Sequence, residues 1–143
     1  MKGNVAYDLY RLANKLYLLH VPIIPYVIEK ILRFGFNAVI HPETKIGSNV
    51  HFTYDGLGIV VHRRCIIGDN VRIGNGVTLG ARRRDQGAPL IGDNVFIGAG
   101  AKVLGGVKIG KNAKIGANAV VLNDVPDGAT AIGVPARIIK VDE

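Results

Sequence analysis

Tryptophan is absent from this chain of 143 residues, a single cysteine stands at position 65, and aromatic residues make up only 6%. One cysteine excludes an internal disulfide framework, which makes a reducing cytosol the expected compartment. Few aromatics beside 48% hydrophobic residues and 19 glycines mean a core of Ile, Val, Leu and Ala, suited to a narrow, repetitive interior. No apolar run reaches the roughly 18 residues of a membrane span. The longest approach, residues 16–36, is broken by His20, Pro22, Pro25, Glu29, Lys30 and Arg33. The first residues show no basic segment followed by an apolar run and a small-residue cleavage site, so no secretory signal is expected. Acidic residues are scarce, with 11 Asp and Glu against 18 Lys and Arg for a net charge of +7. That balance favours anionic partners such as a nucleotide cofactor, nucleic acid or a membrane surface. No zinc-finger, homeodomain or RNA-recognition signature is present, and no nucleic-acid partner is expected. The length fits one domain with one core.

What the sequence does contain is a repeat. Large apolar residues recur every sixth position at Ile40, Ile46 and Phe52, then at Val61, Ile67, Ile73 and Leu79, then from Ile91 through Ile97, Val103, Ile109 and Ile115 to Val121. Glycine follows many of these anchors, as in Ile46-Gly47, Ile67-Gly68, Ile97-Gly98 and Ile115-Gly116. Four residues after the anchors stand small or branched residues: Val50, Cys65, Val71, Val77, Val95, Ala101, Val107, Ala113, Ala119 and Val125. A short strand ending in a tight corner needs an inward aliphatic anchor and a residue that tolerates unusual turn geometry. Asn49, Asn70, Asn75, Asn94, Asn112 and Asn118, with Gly76 and Gly100, fall at those corner positions. Three hexads close one triangular coil, and coils stack in parallel because none buries its inner face alone.

Residues 1–39 read as an amphipathic helical cap, and residues 40–143 as the β-helix with an exposed loop at 81–90 and a C-terminal tail. Val5, Leu9, Leu12 and Leu16 share one helical face, Pro22 and Pro25 mark a break, and Val27, Ile28, Ile31 and Leu32 resume the spacing. A peripheral membrane contact, with Lys15, Lys30 and Arg33 toward headgroups, is the other use of these helices. In the loop, Arg83 occupies the next inward position, and an unpaired guanidinium does not enter an aliphatic prism. Arg82, Arg83 and Arg84 therefore project and suit a phosphate or another anion.

The hexads of residues 40–140 resemble the hexapeptide-repeat acyltransferase superfamily, which implies an all-β, left-handed parallel β-helix with a short N-terminal helical segment. Within it, Ile40-His41-Pro42, Gly58-Ile59-Val60-Val61, Gly76-Val77-Thr78-Leu79-Gly80, the run from Ile97 to Gly105, and Gly133-Val134-Pro135-Ala136-Arg137 are similar to serine O-acetyltransferases. The resemblance implies a homotrimer with active sites between subunits and transfer of acetyl from acetyl-CoA to a hydroxyl. It places Gly80, Ala99 and Ala117 along the pantetheine groove and Lys114 near a phosphate. In that family a His paired with an Asp deprotonates the acceptor. Here Val39 replaces the family's catalytic Asp. The segment of its catalytic His reads Thr53-Tyr54-Asp55-Gly56-Leu57-Gly58, one residue longer and without His, and Ala88-Pro89 stands where a second His precedes Pro.

The base must then be sought among the remaining histidines, since a neutral imidazole titrates near working pH. His62, at the exit of the altered segment, is the first choice, with Asp55 as its helper or substitute. His51 and His41 follow, and His20 reads as structural. The acceptor is a serine-like small molecule or a sugar. A non-catalytic β-helix subunit or scaffold is a competing class. A zinc hydratase of the carbonic-anhydrase kind is another, and it needs three converging histidines. His41, His51 and His62 are ten and eleven residues apart, short of an eighteen-residue coil, which predicts different faces and no metal.

Overall fold

The computed structural model describes residues 4–84 and 86–142. Helix α1 (Val5–Leu18) begins at Asn4, whose side-chain oxygen accepts the Tyr7 N–H at 3.2 Å. Asp8 in its first turn and Lys15 in its last complement the helix dipole. Helix α2 (Ile24–Phe36) has Pro25 in its first turn and stops at Asn37 in the left-handed conformation. Ala6, Tyr7, Tyr10 and Leu32 of the two helices join the core of the repeats.

Short strands follow in chain order: β1 (Val39–Ile40), β2 (Lys45–Ile46), β3 (His51–Phe52), β4 (Val60–Val61), β5 (Ile66–Ile67), β6 (Arg72–Ile73), β7 (Thr78–Gly80), β8 (Leu90–Ile91), β9 (Phe96–Ile97), β10 (Lys102–Leu104), β11 (Lys108–Ile109), β12 (Lys114–Ile115), β13 (Val120–Val121), β14 (Ala129–Ile132) and β15 (Arg137–Val141). They form three sheets, ordered β1-β4-β7-β10-β13, β2-β5-β8-β11 and β3-β6-β9-β12-β14-β15. The chain visits the first, second and third sheet in turn and returns, which makes a three-sided parallel β-helix. The tail departs from this: after Gly133 (φ 94) it reverses, and β15 pairs antiparallel with β14.

The hexad pattern explains the interior. Every anchor named above is buried except Ile46, which is half-buried, and all ten residues four positions later are buried. Lys45, Arg72, Lys108 and Lys114, one position before an anchor, point outward, as the period of two along a strand requires.

The three corners are built differently. At the second corner Asn49, Asn70, Asn94 and Asn112 take φ of 53–61°, and at the third Gly76, Gly100 and Asn118 take φ of 58–75°. Asn75 leaves the left-handed conformation to its neighbour Gly76. The glycines that follow anchors at these two corners are required by the next coil: a Cβ on Gly98 would lie 2.5 Å from the Ala117 nitrogen. The first corner is roomier. It closes as a β-turn in the first two coils, where the N–H groups of Thr44 and Cys65 donate to the carbonyls of His41 and His62 at 3.1 and 2.9 Å. A Cβ on Gly80 would meet only the side chains of Leu104 and Thr78, at an ordinary 3.5 Å. Large side chains fit at this corner, and that is where the two histidines stand.

Candidate active site

Strand register brings those histidines together. Ile40 faces Val61, and Val61 faces Leu79, so His41, His62 and Gly80 form one column at the first corner. This corrects the sequence spacing, which placed His41 and His62 on different faces of an eighteen-residue coil. The additional residues of the first coil form the Thr53–Gly56 turn, in which Tyr54 and Asp55 are left-handed (φ 51 and 53). They lengthen that coil until it matches the interval between the two histidines.

Helix α2 completes the column from outside. The His41 Nδ1 lies 2.8 Å from the Glu29 carboxylate, with the two side chains 20% and 17% exposed. Glu29 follows the buried Ile28 and therefore lies at the edge of the packed face. Sequence reading passed it over, because an acid beside Lys30 on an amphipathic helix looks like a solvated charge. The available signal was that it is the only acid between Asp8 and Glu43.

Hydrogen bonding assigns each imidazole a tautomer. Against a carboxylate, Nδ1 of His41 carries the proton and donates, which leaves Nε2 as an acceptor. His62 is the reverse: its Nδ1 accepts the Arg64 N–H at 3.1 Å, so Nε2 bears the hydrogen in the neutral ring. Burial, then the Arg64 charge and those of His41 and Arg63, hold the His62 pKa below its ordinary value. His51 also accepts at Nδ1, from the Asn4 amide at 3.2 Å. Asn4 is committed to donate there because its oxygen caps α1.

Asp55 lies at the third corner, at the far end of β4 from His62. Its Oδ1 accepts the Ala6 N–H at 3.5 Å. The expected pairing of Asp55 with His62 is thus replaced by a contact with α1, because the longer turn carries Asp55 to the helix side of the coil.

The four residues expected along the groove fall at three places. Ala99 and Ala117 stack at the third corner, where the Asn118 N–H donates to the Ala99 carbonyl at 2.9 Å. Gly80 is at the first corner with the histidines. Lys114 projects from the third sheet, and its ammonium meets Asp142 of the tail at 3.3 Å. Arg82, Arg83 and Arg84 are exposed beyond Gly80, as the sequence predicts for the loop, and the Arg64 guanidinium donates to the Arg84 carbonyl at 3.2 Å. The histidine column therefore has an arginine rim. Among the described residues, no three His, Cys, Asp or Glu side chains are grouped to hold a metal ion.

Two family models cover the repeats: the hexapeptide repeat of succinyl-transferase matches residues 43–81, and the bacterial transferase hexapeptide (six repeats) matches residues 88–123. The chain belongs to the hexapeptide-repeat acyltransferase superfamily, and its coils are those of a left-handed parallel β-helix. Within that superfamily its relatives are serine acetyltransferases. It is 47% identical over 133 residues to the serine acetyltransferase of Staphylococcus aureus, covering 92% of this chain and 62% of the relative. With that of Bacillus pumilus it shares 42% over 132 residues, or 91% and 60% of the two chains. The crystal structure of serine acetyltransferase in complex with coenzyme A from Brucella abortus superposes with a TM-score of 0.91 at 38% identity, covering 96% of this chain and 56% of that one. The chain spans about three fifths of the length of the curated relatives it matches.

Proposed function

We propose that this chain is an acetyl-CoA-dependent O-acetyltransferase acting on the hydroxyl of a serine-like small molecule, with His41 as general base. The observation that carries this is the Glu29–His41 pair: on a fold shared with serine acetyltransferases, it is the imidazole whose Nε2 is free to accept a proton. The acceptor hydroxyl gives its proton to that nitrogen as its oxygen attacks the thioester carbonyl carbon. Glu29 holds the ring and stabilises the imidazolium as it forms. The carbon–sulfur bond then breaks and coenzyme A leaves, taking the proton as its thiol. His62 stays neutral at pH 7 and offers its Nε2–H to the negative charge developing on the carbonyl oxygen.

The proposed assembly is supported by where the expected groove residues fall. Gly80 and the histidines lie at one end of the first sheet, and Ala99 and Ala117 at the other. One chain cannot place both ends against a single thioester. A homotrimer that sets the first corner of one subunit beside the third corner of the next does so. A sugar hydroxyl is the second reading of the acceptor, favoured by Val39 and Ala88 at positions where the family's serine site has Asp and His.

The test is release of coenzyme A thiol with serine and with a panel of sugars. His41→Asn lowers turnover by about a hundredfold or more, the usual range for a general base, with affinity for coenzyme A unchanged by calorimetry. Glu29→Gln lowers kcat more than KM. Near-normal turnover in His41→Asn, with loss in His62→Asn, would return the base to His62.

A further inference from the structure

Helix α2 is apolar on two opposite sides. Pro25, Ile28 and Leu32 are buried against α1 and the first coil. On the other side Ile24, Val27, Ile31 and Phe34 succeed one another at helical spacing with 51%, 49%, 48% and 81% of their surface exposed. The outer face of a surface helix ordinarily carries polar residues. Ile23 extends the stripe. It is 72% exposed and held at φ 70, a conformation a β-branched residue rarely adopts.

The charge around this stripe has one sign. Lys30 and Arg33 flank it and are exposed, and the Arg33 guanidinium lies over the Phe34 ring, 5.9 Å from its centroid. The single acid of α2, Glu29, turns inward to His41. A second copy of the same face would set Lys30 and Arg33 against their own likeness, which disfavours self-association through it. The helix is fixed to the core by Leu32, and no helix of the described residues is long and apolar enough to cross a membrane. A rigid helix with a projecting apolar stripe and a basic flank matches the interface of an anionic bilayer, where it lies in the plane of the surface.

We propose that the outer face of α2 docks on an anionic lipid surface, with Val27, Ile31 and Phe34 entering the acyl boundary and Lys30 and Arg33 meeting headgroup phosphates. This rests on surface residues outside the acetyl-transfer site, so either proposal can fail without the other.

The test is co-sedimentation of the full chain with vesicles of phosphatidylglycerol and phosphatidylcholine, against phosphatidylcholine alone. Binding is expected to the anionic vesicles and to fall with salt. Removing both charges in Lys30→Ala with Arg33→Ala lowers it roughly thirtyfold, the effect of two basic residues near a charged surface. Ile31→Ser with Phe34→Ser lowers it at least about tenfold, with circular dichroism and thermal midpoint retained because both side chains point away from the core. Absence of sedimentation with anionic vesicles overturns the proposal, as does unchanged binding in the serine variant. A larger assembly in light scattering that the serine variant dissolves, without vesicle binding, assigns the face to a second copy instead.

Discussion

Single hydrogen bonds decide what each histidine can do. His41, His51 and His62 are chemically alike in the sequence, and a carboxylate at one Nδ1 against an N–H donor at the other two separates acceptor from donor. The same environment makes His62 a pH sensor for stability. Its pKa is lowered in the folded chain, so the unfolded chain takes up the proton first as pH falls. The sign is therefore a loss of stability on acidification below about pH 6.5, with no contribution above it. Thermal midpoints between about pH 7 and pH 5 should fall less in His62→Gln than in the parent, and an identical slope would remove His62 from the acid response. Cys65 is the opposite case: burial pushes its thiol up to about 12, which leaves it a small core residue at the end of the first-corner turn.

At the scale of the coil, the left-handed corners and the glycines behind them are the elements under constraint. Asn112 sits at φ 61, where a residue with an ordinary Cβ loses about 1–2 kcal/mol. Asn112→Ala should lower stability by about that amount and Asn112→Gly by much less, measured by denaturant unfolding. Gly98→Ala acts differently, since its Cβ would press on the backbone of the next coil at Ala117. Overpacking of this kind costs about 1–3 kcal/mol and should also loosen the third corner where Ala99 and Ala117 stack. Equal losses in Asn112→Gly and Asn112→Ala would show that the corner does not depend on positive φ.

The molecule as a whole is a stack in which each coil is stabilised mainly by its neighbours. Helices α1 and α2 meet its first coil, and β15 pairs along the third sheet near its last. The first and third corners lie at opposite ends of one side, which is why the proposed chemistry needs more than one copy. Light scattering at micromolar concentration should give three times the 15.3 kDa chain mass, and a monomer mass would contradict the shared site. Ala117→Trp should weaken acetyl-CoA binding in calorimetry while leaving that mass unchanged, because the side chain at this position is exposed. Unchanged affinity would take Ala117 out of the groove.

The hexads by themselves determined the three-sided prism, its inward residues and most of its corners, because every sixth position is a local requirement that resumes in phase after each of its two interruptions. They also placed Arg82, Arg83 and Arg84 outside, since no guanidinium fits the interior. The histidine column was beyond them. It depends on a coil stretched by the Thr53–Gly56 turn, which aligns His41 with His62, and on a helix carboxylate twelve residues before His41. Spacing along the chain carries no information about which face of α2 meets the first coil. Only the packing of Ile28 and Leu32 into the core sets Glu29 against an imidazole and turns Ile31 and Phe34 outward.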